Sequence, residues 1–339
     1  MQTAGKNRDA AVDFSKATAI IGVVLIHACS DALTAPLFSH SWLCAVVLRT
    51  LAAASVPLFF LCSGALMLDP NKDLPLRRLY TKNLPRIILA LFAWAVFYKL
   101  LDLATDGTLS WQTIRQAGKE LLLFRHKYHL YFLQIMVVVY AFLPITRVFV
   151  RHASQKELRY FIGLWLLLGI VYPTVAGWKP FRLLSGTPRQ WMINQTYAAI
   201  GYGVLGHYLK TNAAAFQKSG LAVAGGLLIV LFGTILMSVR RHALYAGFWE
   251  GMSIGAALMA AGFFTLSIRH PSWGKSAFVL QLSKASFCIY LVHVAILPFC
   301  QKLGASVLLV PVITAATIAI SYGIFCLLSR IPIIRTWII

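Results

Sequence analysis

Acidic residues are scarce in this chain of 339 residues: only 10 are Asp or Glu, and all charged residues together make up 12%. Hydrophobic residues make up 59%. A water-soluble globular chain carries about twice that share of charged residues. The composition therefore excludes a soluble globule and predicts an integral membrane protein.

The six cysteines lack the spacing of a metal or disulfide site. They form no C-x-x-C pair, and no cluster of histidines accompanies them. Structural zinc sites and disulfide frameworks both depend on such regular spacing. We therefore expect no metal and no disulfide framework.

Basic residues give the chain a net charge of +21. In a soluble protein this excess would indicate a nucleic-acid partner. Here most of the basic residues lie in short loops between apolar runs, where they fix the topology and attract anionic lipid. Membrane lipid is thus an expected partner, and nucleic acid is not.

Ten apolar runs are long enough to cross a hydrocarbon core of roughly 30 Å. The runs are continuous and do not alternate, so they predict helices and not barrel strands. We expect one all-α domain over residues 1–339, a polytopic transmembrane bundle without internal repeats. The predicted helices cover residues 12–33, 43–68, 85–104, 128–149, 159–176, 191–210, 220–239, 243–268, 277–300 and 306–329.

The loops on the same side of the membrane as the N-terminus carry more Lys and Arg than the loops on the opposite side. Cytoplasmic loops are the ones enriched in basic residues. The pattern predicts a cytoplasmic N-terminus.

Ionisable side chains inside the predicted helices are functional candidates, because burying a charge in hydrocarbon is costly. Lys16 and His27 lie eleven residues apart on the first helix. This spacing is close to three turns, so the two side chains share one face and lie about 16 Å apart along the axis. At 1.5 Å per residue, several groups come to a similar depth below the outer surface. They are His27, Arg49, Lys99, Glu250 and His293, and their common depth predicts a shared cavity.

Glu250 is the only acidic residue in the middle of a predicted span. Beside His27, its carboxylate would hold the imidazole in one tautomer and stabilise an imidazolium, so both residues are catalytic candidates. The alternative is that Glu250 serves as the counter-ion of Arg49 or Lys99.

A second group of basic residues lies near the predicted cytoplasmic ends of three helices. This group can bind an anionic donor molecule. Its alternative role is to fix the topology and pair with lipid headgroups. The candidates are Lys16, Lys82, Arg86 and Lys284.

The stretch DFSKATAIIGVVLIH at residues 13–27 resembles a signature of the acyltransferase family 3 membrane O-acyltransferases, a basic residue followed by ten residues and a histidine. Three further stretches resemble family motifs in the same order. They are SVPLFFLCSG at 55–64, YHLYFL at 128–133 and IYLVH at 289–293. One departure is Asn83, where the family often has the first of two arginines entering the third helix.

The resemblance implies transfer of an acyl group, usually acetyl, from cytoplasmic acetyl-CoA to a hydroxyl of a surface or lipid-linked glycan on the outer face. A bacterial plasma membrane is the implied location. His27 would remove the hydroxyl proton or carry the acyl group. Acceptor-binding or orienting roles are implied for His129, Tyr131, Arg49, Tyr290 and His293.

A secondary transporter of a small anionic solute is the alternative function. Such transporters also have about ten helices and buried charge, but they usually show internal repeats. The sequence shows no such repeat.

Overall fold

The computed structural model describes residues 8–175 and 193–339. The regular structure in those residues is helical, without a strand, so the predicted all-α class is confirmed. Nine segments of this part of the chain are long and apolar enough to cross a bilayer, which makes the protein a multi-pass membrane protein. The nine are Ala10–Ala28, His40–Met67, Leu76–Thr105, Tyr128–His152, Gln155–Val175, Ser219–Arg241, Gly247–Arg269, Ala277–Gln301 and Val307–Leu328.

Fifteen α-helices are found in the described residues, and several of the spans contain more than one. In chain order they are α1 (Ala10–Ala28), α2 (His40–Leu51), α3 (Ser55–Met67), α4 (Leu76–Arg78), α5 (Leu84–Thr105), α6 (Trp111–Leu122), α7 (Tyr131–His152), α8 (Gln155–Trp165), α9 (Tyr172–Val175), α10 (Gln195–Thr211), α11 (Ser219–Arg241), α12 (Ile254–Arg269), α13 (Ala277–Gln301), α14 (Val310–Leu328) and α15 (Pro332–Trp337).

Three of the predicted helices differ from the observed ones. The helix expected at 43–68 is two helices, α2 and α3, joined by a turn at residues 52–54. The helix expected at 191–210 is observed as α10, which begins at Gln195 and whose 17 residues are mostly buried. The helix expected at 243–268 starts eleven residues later, at Ile254. Residues 176, 191 and 192 of the predicted helices lie outside the described residues.

Helix α1 lies at the centre of the bundle, in contact with α3, α12, α13 and α14. Its first turn is fixed by two aspartates. Asp9 caps the helix through the backbone N–H of Val12 and pairs with Lys210 of α10 at 2.6 Å. Asp13 accepts a hydrogen bond from Ser283 of α13 at 2.6 Å and binds Arg8. These contacts fix the rotation of α1 and therefore the direction of its polar side chains.

Helices α3 and α10 cross with their backbones in contact. A Cβ atom at Gly64 would lie 2.0 Å from the carbonyl oxygen of Gly203, and one at Gly206 would lie 2.2 Å from that of Leu61. Without a hydrophobic driving force between helices in lipid, small residues supply association by close packing. This crossing fixes the position of α3, which forms one wall of the cavity described below.

Two stretches of the described chain are π-helical, at Leu79–Asn83 before α5 and at Leu166–Val171 after α8. A π-helical turn accommodates an extra residue inside an otherwise α-helical segment. The first stretch leads directly into the part of α5 that carries Arg86.

Helix α6 lies outside the spans, and one ion pair joins α6 to α5 while a second joins the loop after α6 to α5. Lys99 binds Glu120 at 2.5 Å, and Lys127 binds Asp102 at 2.7 Å. The hydrogen bond from Lys99 lowers the pKa of Glu120, so the pair persists at neutral pH. The expectation that Lys99 shares a cavity with His27 is wrong, because equal depth does not fix the direction in which a side chain points.

Candidate active site

A single cavity of about 820 Å³ contains most of the sequence-predicted polar residues. Its walls come from α1, α2, α3, α5, α7 and α13, together with the segment that precedes α12. Among its lining residues are Lys16, His27, Arg49, Asn83, Arg86, His129, Tyr131, Glu250, Ser286 and Tyr290.

Helix α1 supplies both Lys16 and His27 to this cavity. Both side chains are half-buried, and their separation of eleven residues amounts to about 16 Å along the helix. The predicted common face is confirmed. The cavity therefore extends along α1 from a basic end to an imidazole.

His27 belongs to a cluster of three histidine rings. Its ring centroid lies 5.2 Å from that of His293, with 30° between the planes, and 5.1 Å from that of Tyr128. His129 completes the cluster, 5.5 Å from His293. His129 is buried, with only 2% of its surface exposed. No carboxylate pairs with these rings in the described part of the chain.

The hydrogen bonds of His293 define its tautomer. Its Nδ1 lies 2.7 Å from the carbonyl oxygen of Tyr290 and 3.1 Å from that of Ile289. Carbonyl oxygens only accept, so Nδ1 carries a proton. Nε2 is buried and has no hydrogen-bond partner among the described residues. His293 thus presents a fixed ring against the ring of His27.

Tyr290 supports the same cluster from α13. Its hydroxyl donates to the backbone carbonyl of His129, and its ring packs against that of His129 at 5.7 Å. Tyr290 therefore positions the cluster in addition to lining the cavity.

Arg49 lies over the ring of Trp249, with 5.2 Å between its guanidinium carbon and the ring centroid. The indole of Trp249 donates to the hydroxyl of Thr50 at 3.1 Å, which holds the ring in place. Tyr131 lines the same part of the cavity and is 38% exposed. Arg49, Trp249 and Tyr131 together form a polar and aromatic wall near His27.

The prediction that Glu250 lies in the middle of a membrane-spanning helix is wrong. Glu250 is an extended residue, with φ −64° and ψ 140°, and it follows a short 3₁₀ turn. The Tyr202 hydroxyl donates to the carbonyl of Gly251 at 2.5 Å, and Ser253 caps the start of α12. These side chains satisfy the backbone groups that a helix would otherwise satisfy.

Glu250 faces the cavity, but it forms no ion pair with Arg49 among the described residues. It makes no hydrogen bond or ring contact with His27 there either. Its role as counter-ion of Lys99 is excluded, because Lys99 pairs with Glu120. The cavity brings Glu250 and His27 together without placing them in contact.

At the basic end of the cavity, the lining includes Lys16, Arg86 and Asn83. The guanidinium of Arg86 donates to the carbonyl oxygen of Ile339 and lies 6.0 Å above the ring of Phe287. Lys82 and Lys284 do not line the cavity, and both side chains are exposed. The structure thus brings two of the four predicted donor-binding residues into the cavity.

Sequence reasoning missed Trp249 and Ser286, which line this cavity. Trp249 could have been predicted from the sequence, because it is an aromatic residue directly before the candidate Glu250. Ser286 had none, because a serine in an apolar helix is commonly satisfied by the backbone, as Ser286 is by Ser283 at 2.8 Å.

Comparison with protein families gives one match: a family described as an acyltransferase domain, Acyl_transf_3, matches residues 9–326. No curated protein and no solved structure matches the chain. The family match covers nearly the whole chain and includes every residue of the histidine cluster and the three cavity cations Lys16, Arg49 and Arg86. The chain therefore belongs to the Acyl_transf_3 family of acyltransferases.

Proposed function

We propose that this membrane acyltransferase moves an acetyl group from cytoplasmic acetyl-CoA to a hydroxyl of a surface or lipid-linked glycan on the outer face of a bacterial plasma membrane. The observation that carries the proposal is the continuous cavity, which has two cations at one end and an imidazole at the other. A donor and an acceptor on opposite sides of a membrane require such a connection.

The basic end suits the donor, because the phosphates of CoA are anionic and charge-assisted hydrogen bonds to phosphate are strong. Lys16 and Arg86 would bind these groups, while the exposed Lys82 and Lys284 would attract the donor from the cytoplasm. The Ile339 carbonyl now accepts from Arg86, so the donor phosphate would compete with that contact.

The histidine end suits the acceptor. A ring nitrogen of His27 would take the proton of the sugar hydroxyl as its oxygen attacks the thioester carbonyl. Collapse of the tetrahedral intermediate breaks the carbon–sulfur bond, and the imidazolium returns the proton to the CoA thiolate. The products are the acetylated sugar and free CoA. His293 would hold the imidazole plane, and the Glu250 carboxylate in the same cavity would favour the positive charge that develops on His27.

Transfer in two steps uses the same residues. His27 would first attack the thioester and release CoA thiolate, and the acetyl-imidazole would then be attacked by the sugar hydroxyl. His129 and Tyr131 would position the sugar in either case.

Radiolabelled acetyl-CoA incubated with membranes that contain the full chain tests the proposal. We expect label on extracted glycan or on the enzyme itself, and none when the gene is absent. A secondary transporter would leave both unlabelled, so that result would overturn the proposal.

Lys16→Ala is expected to raise the apparent KM for acetyl-CoA about tenfold, with a smaller fall in kcat, because it removes one charged contact to the donor. Initial rates over a range of acetyl-CoA concentrations measure both constants. Lys218→Ala, which removes an exposed lysine outside the cavity, is the control and should change neither. An unchanged KM in Lys16→Ala would assign Lys16 a structural role.

The orientation of the bundle predicts which loops react from outside the cell. In a background with the exposed Cys44 and Cys326 replaced by alanine, Thr108→Cys should react with an impermeant maleimide on intact spheroplasts. Asn71→Cys should react only after lysis, because its loop belongs to the more basic side. The opposite pattern would invert the topology and place His27 on the cytoplasmic side.

A further inference from the structure

Arg49 is a half-buried cation without a counter-ion among the residues that the structure describes. Its Nη1 atom is buried and has no hydrogen-bond partner among the described residues. No acidic residue in that part of the chain lies within ion-pair distance of it. Two features stabilise the positive charge of Arg49. They are the face of the Trp249 ring and the C-terminal turn of α2, in which Arg49 lies.

This compensation is incomplete. A cation over an aromatic face and a cation at a helix C-terminus are each stabilised modestly. Removing a guanidinium from water without a paired anion costs considerably more. Five acids of the described chain pair with basic residues elsewhere, and Glu250 shares the cavity without forming an ion pair with Arg49. The site is therefore arranged for an anion that enters from outside the chain.

The surroundings of Arg49 suit an anion carried by a sugar. The guanidinium lies over the ring of Trp249, which is itself held by Thr50. A planar guanidinium binds carboxylate or phosphate with two parallel hydrogen bonds. Beside it, Tyr131 is partly exposed to the cavity and offers an aromatic face and a hydroxyl to the ring of a sugar.

We propose that Arg49 binds an anionic group of the acceptor, either a carboxylate on an acidic sugar or a phosphate of a phosphorylated or lipid-linked sugar. This inference rests on the proposed function and adds the substrate class. An acceptor bound in this way would place its hydroxyl near His27, because Arg49 and His27 line the same part of the cavity.

The bound anion has a second effect on the chemistry. Proton removal from the hydroxyl creates a positive charge on His27, and the positive charge of Arg49 repels it. An acceptor that brings its own negative charge offsets Arg49 and removes this repulsion. A neutral sugar leaves it in place, so the site selects acidic acceptors by rate as well as by binding.

The test is a binding titration of the purified full chain with three probes: sodium glucuronate, glucose 1-phosphate and glucose. We expect at least one of the two anions to bind about tenfold more tightly than glucose. The tighter of the two identifies carboxylate or phosphate as the preferred group. Equal affinity for all three, or no saturable binding of either anion, would overturn the proposal.

Arg49→Gln should remove the preference for the anion. The matched control is Arg241→Gln, which removes an arginine that also lies over an aromatic ring, 4.4 Å from that of Tyr245, and does not line the cavity. The control should keep the preference. A preference that survives in Arg49→Gln would contradict the proposal even if the protein folds normally.

Turnover separates this proposal from the proposed function. Arg49→Gln should raise the KM for an anionic acceptor and leave acetyl-CoA binding unchanged. An equal fall in kcat for anionic and neutral acceptors would instead assign Arg49 to stabilising the tetrahedral oxyanion. Anion binding without any transfer would leave Arg49 as an anion site and overturn only the acyltransfer reaction.

Discussion

Replacing His27 by alanine is expected to lower acetyl transfer by at least about 100-fold, the usual contribution of a positioned general base. The imidazole is the group that can accept the hydroxyl proton at the acceptor end of the cavity, and His293 cannot replace it because its ring is fully buried. The assay is the rate of label transfer from acetyl-CoA at saturating donor, normalised to purified protein.

The control for this variant is His126→Ala. His126 also packs between aromatic rings, with Phe92 at 5.9 Å and Phe124 at 5.6 Å, but it does not line the cavity. It should retain activity. If His27→Ala keeps more than a tenth of the wild-type rate, the role of His27 as base or acyl carrier is excluded.

Gly64→Ala is expected to have the largest effect on folding. The new Cβ would overlap the backbone carbonyl of Gly203, which cannot move without separating α3 from α10. Overpacking of this kind costs about 3 kcal/mol or more in the free energy of unfolding. The measurement is the monodisperse fraction after solubilisation, together with the melting temperature.

The matched control is Gly225→Ala, in the middle of α11, where a Cβ would meet nothing within 4 Å. This change should be neutral or slightly stabilising, because alanine favours a helix over glycine by about 1 kcal/mol. Equal melting temperatures for the two variants would show that the crossing tolerates a wider separation.

The sequence predicted those site residues whose positions follow from the period of one helix. Lys16 and His27 meet the same cavity because a straight helix returns to the same face after eleven residues. Counting residues inward from the outer end of a helix predicts the depth of a side chain, but it does not predict the direction in which that side chain points around the helix axis. Lys99 was predicted at the depth of His27, but its side chain pairs with Glu120 of α6.

Glu250 shows a second limit of sequence reasoning. The apolar run from 243 to 268 has the composition of one helix, yet the backbone is extended at Glu250. A contact from far along the chain supports this extended segment, the hydrogen bond from the hydroxyl of Tyr202 on α10 to the carbonyl of Gly251. A contact between residues so distant in sequence leaves no local pattern from which it can be predicted.

The π-helical stretch at Leu79–Asn83 bears on how the length of this region can vary during evolution. In a regular helix, deletion of one residue rotates everything before it by about 100° and would turn a cavity-facing side chain away. A π turn already contains one residue more than an α turn, so losing it restores regular geometry and leaves the following helix undisturbed. Relatives one residue shorter here would keep Arg86 in the cavity, and sequence alignments would show a gap where a transmembrane helix normally tolerates none.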